Sequence, residues 1–209
     1  MEKGNTKHEI LKVALDLFSV QGYEATSVSQ IADVVGVRKA TMYSHFASKQ
    51  EILDELVRET LEQYENHSIF AQTNKDNSFL KDKQNITPDK AVQIIQGHIR
   101  YIIHDPQISK SRKMLTIEQF KNQKLKEIQT QRSYTDVMRY FTELIKYLID
   151  QGKLSDCDAE IMAAQFCLPV SVWTNLCDRE PEREEEVMKL IERHVRQFFK
   201  VYGTNATNK

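Results

Sequence analysis

The sequence predicts an all-α protein, with an N-terminal three-helix head carrying a helix-turn-helix and a larger C-terminal helical domain, about nine helices in all. Three observations lead there. Apolar residues recur at helical spacing along most of the chain. Alternating strand patterns bounded by turn residues are absent. Capping residues, prolines and glycines stand where such helices must start and stop.

With 209 residues, 40% of them hydrophobic, the chain has enough apolar material for two modest domains. The expected division places the helix-turn-helix domain at 1–50 and a larger helical domain at 51–209. No run of eighteen apolar residues is present, and MEKGNTKHEI lacks the apolar region of a signal peptide. A cytoplasmic location with no membrane partner is therefore expected. Cys157, Cys167 and Cys177 are spaced by ten, without CxxC pairs, so buried thiols along roughly one helix face are expected, and neither metal nor cofactor. A redox sensor is the weaker reading of the same cysteines. Esterase, phosphate-loop and zinc-protease motifs are absent, which argues against an enzyme.

Leu11, Ala14, Leu15 and Phe18 form the inward stripe of a first helix ending near Gly22. Val28, Ile31, Ala32 and Val35 form that of the second. Its start is fixed by Ser27 and Gln30, spaced as a capping box, and its stop by Gly36, a residue able to take a left-handed cap at little cost, with Val37 anchoring the turn. A third helix from about Lys39 to Phe46 turns Met42 and Phe46 inward, while Arg38, Lys39, Thr41 and His45 face out. Ser48 and Glu51 form a second capping box and open a long helix through about Ile69. The polar stretch from Gln72 to Thr87 reads as a loop.

Thr87-Pro88 and Asp105-Pro106 each pair a cap with a proline at the first helical position. The second opens a helix with Ile108, Met114, Leu115, Ile117 and Phe120 on its apolar side. Ser133 with Asp136 predicts another start, followed by Val137, Tyr140, Phe141, Leu144, Ile145 and Leu148 and a stop at Gly152. From about Ser155 to Cys177 apolar residues cover nearly the whole circumference, as in a helix buried on more than one side, and Pro169 should bend it. The last helix, from about Pro181 to Tyr202, carries Val187, Leu190, Ile191, Val195, Phe198 and Phe199 on one face and Glu184 to Glu186 near its positive end.

From Arg38 to Lys49 there are three fixed positive charges and no carboxylate, although the net charge of the whole chain is −1. Phosphate binding needs a local cationic patch, not a basic protein. Two short helices, a tight turn and this patch form the anatomy of a DNA reader whose second helix enters the major groove.

Ile10, Ala14, Leu15, Phe18, Gly22, Tyr23, Ile31-Ala32, Gly36-Val37, Thr41, Tyr43, His45-Phe46 and Lys49 stand in an order and spacing that resembles the TetR family of bacterial transcriptional regulators, over about the first 55 residues. The resemblance implies that Thr41, Tyr43 and Lys49 touch the DNA backbone, with His45 beside them, and that Arg38 and Lys39 lie near base edges. Hydroxyls and ammonium groups suit phosphate oxygens, and Arg or Lys suits guanine O6 and N7. Ser27 is expected to cap, with its helix N-terminus against a phosphate, and Ser29 lies beside it. Many relatives have Ser or Thr at Arg38, so a side-chain cap worth about 1 kcal/mol should be missing. Ala40 and Ser44 also depart from the family's habit.

The resemblance further implies a palindromic DNA operator, a homodimer, and usually repression relieved by a small molecule. The last two long helices, with Ile161, Leu168, Val172, Leu190, Ile191 and Phe198, are expected to pair with a second copy as a four-helix bundle. His98, Tyr101, Met114, Phe120, Tyr134, Phe141, Phe166 and Trp173 are candidate linings for an effector cavity, which would suit an apolar or aromatic molecule. The competing reading is an architectural or scaffold protein that uses the same head on DNA and recruits a protein partner through its C-terminal domain.

Overall fold

The computed structural model of the chain describes residues 3–67, 70 and 86–204. Nine helices run through the described residues. They are α1 (Lys3–Gln21), α2 (Val28–Val35), α3 (Lys39–His45), α4 (Lys49–His67), α5 (Pro88–His104), α6 (Pro106–Glu118), α7 (from Gln123–Thr130 through Asp136–Asp150), α8 (Ala159–Arg179) and α9 (Glu184–Tyr202). Most of the expected loop after Gln72 lies outside the described residues. Packing groups Met1–Ser68 with Pro106–Gln129 and Ile69–Asp105 with Thr130–Lys209. The division expected at residue 50 thus does not coincide with a packing boundary.

In the first unit, Ile10, Ala14 and Phe18 of α1 are fully buried with Ile31 of α2, Met42 of α3 and Ile52 and Leu53 of α4. Met114, Leu115 and Leu125 complete the same core. Polar links fasten its helices. Lys7 reaches Glu55 at 2.6 Å, and Arg58 lies 3.0 Å from the same carboxylate. Arg58 and then Lys7 hold the Glu55 carboxyl down to about 2.

In the second unit, Ala91, Val92, Ile95 and Ile99 of α5 pack with Tyr140, Phe141, Ile145 and Leu148 of α7. Met162, Phe166, Cys167 and Val170 of α8 and Val187, Ile191, Val195 and Phe198 of α9 close the core. The loop before α8 is tied to the end of α9, where Ser155 N–H donates to the Tyr202 carbonyl at 2.7 Å and Thr204 N–H to that of Lys153 at 3.1 Å. Pro169 lies inside α8, as expected, and leaves the Gln165 carbonyl without its usual helical donor. One residue on, the Phe166 carbonyl accepts from His194 Nε2 at 2.8 Å.

Several expectations are corrected. Ser133 does not start a helix: the chain stays helical through a π turn at Gln131–Thr135. The carboxylate of Asp136 is buried and accepts from Gln131 Nε2 at 2.7 Å and from the Arg139 guanidinium, so it braces the turn and does not serve a cap. Phe120 is not on an inward stripe, because α6 stops at Glu118 and leaves the ring 89% exposed. Cys157 precedes the α8 cap residue Asp158 and is exposed, so the three thiols do not share one helix; Cys167 and Cys177 are buried, and burial pushes the Cys167 thiol up to about 11.

Gly36 has φ +77° and open space where a Cβ would stand, whereas at Gly22, φ +85°, that atom would lie 2.8 Å from Glu118 Oε1. Gly36→Ala should therefore cost the left-handed strain alone, about 1–2 kcal/mol, and Gly22→Ala measurably more. Urea unfolding of the two variants checks the order, and equal losses would show that Glu118 yields freely.

Candidate nucleic-acid interface

The second and third helices are set at their ends by local chemistry. Gln30 N–H donates to Ser27 Oγ at 3.1 Å while Ser27 N–H donates to Gln30 Oε1 at 2.7 Å, closing the capping box. At the other end Gly36 N–H donates to Asp33 O and Val37 N–H to Ala32 O, the paired bonds of a Schellman stop. α3 follows with Arg38 as its cap residue and no side-chain cap bond. The missing cap is what an arginine there implies.

Met42 and Phe46, 1% and 3% exposed, pin α3 to the core. Arg38, Lys39, Tyr43 and Ser44 consequently face solvent, Thr41 and His45 are half-buried, and Ser27 and Ser29 lie exposed at the start of α2. Tyr43 is 49% exposed, so its ring is not part of the core. Arg38, Lys39, Thr41 and Tyr43 thus sit within one and a half turns of a core-anchored helix, a spacing suited to touching bases and the flanking phosphates together.

Lys49 is placed differently. Its ammonium donates to the carbonyls of Tyr23 and Thr26 at 2.8 and 2.9 Å and rests 4.1 Å from the centre of the Tyr23 ring. It ties the first turn of α4 to the loop between α1 and α2. Two donors at fixed distance from carbonyls 23 and 26 residues away could not be read from local spacing. Glu51, the nearest carboxylate in sequence, accepts from Ala47 N–H at 2.5 Å, while Glu51 N–H bonds Ser48 Oγ at 3.1 Å. The Ser48 half of the expected second capping box is thus present, and only the return bond from Glu51 falls one residue upstream, on Ala47.

Of the residues expected around an effector, Phe141 and Phe166 line an apolar cleft in the second unit, together with Ile94, Tyr140, Leu144 and Phe199 among others. Burial pushes the Tyr140 phenol up to about 12, so it stays neutral. His98 is half-buried against the edge of Phe70, 5.1 Å between centroids, and burial lowers its pKa. Trp173 stands edge-on to His194. Tyr101 and Tyr134 are exposed, and Met114 belongs to the core of the first unit. The linings that sequence patterning missed, such as Leu144 and Phe199, look like any core residue along a helix.

For pairing, the expected residues separate into two sets. Ile161, Leu168 and Val172 are 55%, 38% and 62% exposed on one face of α8. Leu190 is half-buried, whereas Ile191 and Phe198, 0% and 7% exposed, are consumed by the core of their own unit. Among the described residues no cluster of metal-ligating side chains occurs, and no helix is long and apolar enough to cross a membrane.

Residues 10–56 match the family model for bacterial regulatory proteins of the tetR family, and residues 92–204 match that for the C-terminal domain of AefR-like transcriptional repressors. The regulator TcmR of Streptomyces glaucescens is 49% identical over 47 residues, 22% of this chain and 21% of that protein. IcaR of Staphylococcus aureus, the negative regulator of the biofilm operon icaADBC, is 38% identical over 71 residues, 34% of this chain and 38% of that protein. The chain thus aligns with well under half the length of these curated relatives. Across nearly the full length the fold is that of SmeT, the repressor of the Stenotrophomonas maltophilia multidrug efflux pump SmeDEF, with TM-score 0.63, 16% identity, and 96% and 92% of the two chains covered. SmeT has also been solved as a complex with triclosan. The two family models together match most of the chain, and the chain belongs to the TetR family of bacterial regulatory proteins.

Proposed function

We propose that the protein is a sequence-specific DNA-binding transcriptional regulator, a repressor that holds a palindromic operator as a homodimer and lets go when an apolar or aromatic small molecule binds. The observation that carries this reading is the outward face of α3, where Arg38, Lys39 and Tyr43 are exposed while Met42 and Phe46 are locked in the core. Arg38 and Lys39 read base edges, Thr41, Tyr43 and His45 meet the backbone, and Ser27 and Ser29 bring the N-terminus of α2 to a phosphate. Lys49 adds its charge beside them while bracing the loop before α2. The protein works in the cytoplasm and performs no catalysis of its own.

A single reader helix spans a few base pairs, and a two-fold dimer reads two half-sites. The exposed stripe of Ile161, Leu168 and Val172 supports pairing through α8, since water-facing apolar rows at helical spacing are stabilised by a second copy. The predominantly apolar cleft in the second unit supports a neutral, lipophilic effector, in keeping with the triclosan bound by SmeT. Such a molecule relieves repression by binding the DNA-incompetent arrangement better than the competent one.

Three outcomes are expected. Arg38→Ala should change the preferred bases and cost about 1–3 kcal/mol on the best duplex; equal weakening on every duplex in a binding-selection assay would make Arg38 a backbone contact. Val172→Glu should yield folded monomers in sedimentation at micromolar concentration, because the residue is exposed in the single chain; an intact dimer would exclude this face. Ile94→Glu places a carboxylate in the cleft at a position already 38% exposed. It should weaken calorimetric binding of triclosan, used as the probe, at least about tenfold without lowering DNA affinity. Unchanged triclosan binding would move the effector site elsewhere.

A further inference from the structure

α6 falls within the stretch matched by the C-terminal family model, residues 92–204, yet it packs in the first unit. Polar links to α1, α4 and the turn after α1 seat it there. The Lys110 ammonium pairs with the Asp16 carboxylate, and the buried hydroxyls of Ser111 and Thr60 lie 3.1 Å apart. At the far end of the helix, Glu118 Oε1 accepts from the backbone N–H of Tyr23 at 2.9 Å.

This last contact differs in kind. The Glu118 side chain is 1% exposed, and a carboxylate taken out of water is costly unless strong donors meet it. A charge-assisted bond to a backbone N–H is such a partner, and it fixes direction as well as distance. The fit is close: a Cβ on Gly22 would stand 2.8 Å from the same oxygen. Tyr23 then links onward. Its carbonyl accepts from Lys49, its hydroxyl donates to Gln50 Oε1 at 3.1 Å, and its ring packs edge-on against Phe18 at 5.3 Å. Lys49 also holds the carbonyl of Thr26, the residue before the α2 cap. A chain of direct contacts therefore runs from the end of α6 through Tyr23 and Lys49 to the start of the reader pair.

We propose that Glu118 is a positioning residue for DNA binding: by holding Tyr23 N–H it fixes the turn between α1 and α2 and the first turn of α4, and so the angle at which α2 and α3 are presented. It touches no DNA. A helix contributed by the C-terminal part of the sequence thereby sets the geometry of the reader through one carboxylate.

The test compares Glu118→Ala and Glu118→Gln in the full chain, by fluorescence anisotropy on the duplex that the unaltered protein selects from random DNA. Glu118→Ala should raise the dissociation constant about tenfold with the same salt slope, since the number of phosphate contacts is unchanged. Glu118→Gln, whose amide oxygen can still accept from Tyr23, should stay within about threefold. The Tyr23 amide proton resonance should move upfield in the first variant and hold in the second. Stoichiometric titration gives the DNA-competent fraction of each sample and so separates misfolding from mispositioning. Unchanged affinity in Glu118→Ala, an equal loss in Glu118→Gln, or a loss accounted for by the competent fraction alone would overturn the assignment. The inference rests on the DNA-binding reading, which would fail separately if the unaltered chain selected no duplex.

Discussion

The ammonium of Lys49, set on the carbonyls of Tyr23 and Thr26 and over the Tyr23 ring, is the contact on which the reading surface depends. α2 and α3 bury few residues of their own, and the loops around them must be held by polar contacts if such short helices are to keep a fixed angle. α2 and α3 have only eight and seven residues, too few to be stable alone in water. Their order comes from caps at the ends, from Ile31, Met42 and Phe46 beneath, and from the bracket that Lys49 forms between the loop before α2 and the helix after α3. A cation in this position serves two ends, since it satisfies carbonyls at the loop and leaves positive potential beside the reader.

The C-terminal unit follows a different constraint. α8 is apolar on almost every side, and one core cannot bury all of it. Met162, Phe166, Cys167 and Val170 are spent inward, and Ile161, Leu168 and Val172 remain outside. α9 shows the opposite habit, with its apolar face taken up by its own unit and its outer face charged, as in Lys189–Glu185 and Arg196–Glu192. Pairing through such a surface is therefore expected to draw its apolar contacts mainly from α8 and its register from the charges along α9.

Much of this was legible in the sequence because the relevant interactions are local. The Ser27–Gln30 capping box, the Gly36 stop, the absent cap at Arg38 and the Thr87-Pro88 start all depend on residues within a turn of one another, and the structure has each of them. Long-range contacts were not legible. The partners of Lys49 lie in another loop, and the carboxylate of Glu118 meets a backbone group 95 residues away. The π turn at Gln131–Thr135 was misread as a start because Ser and Asp three apart look like a cap, while the bonds from Gln131 and Arg139 that occupy Asp136 leave no mark in a pattern search. Phe198 likewise has the spacing of an interface residue. Whether such a stripe faces its own unit or a second copy is decided by tertiary packing, not by period.

The most direct test is selection of bound duplexes from a fully random library by the purified full chain at moderate salt. The account expects a two-fold symmetric site whose half-site centres lie about one helical turn, or a multiple of it, apart along the duplex. Recovery of no enriched sequence, or of a lone asymmetric half-site bound by a monomer, would contradict it.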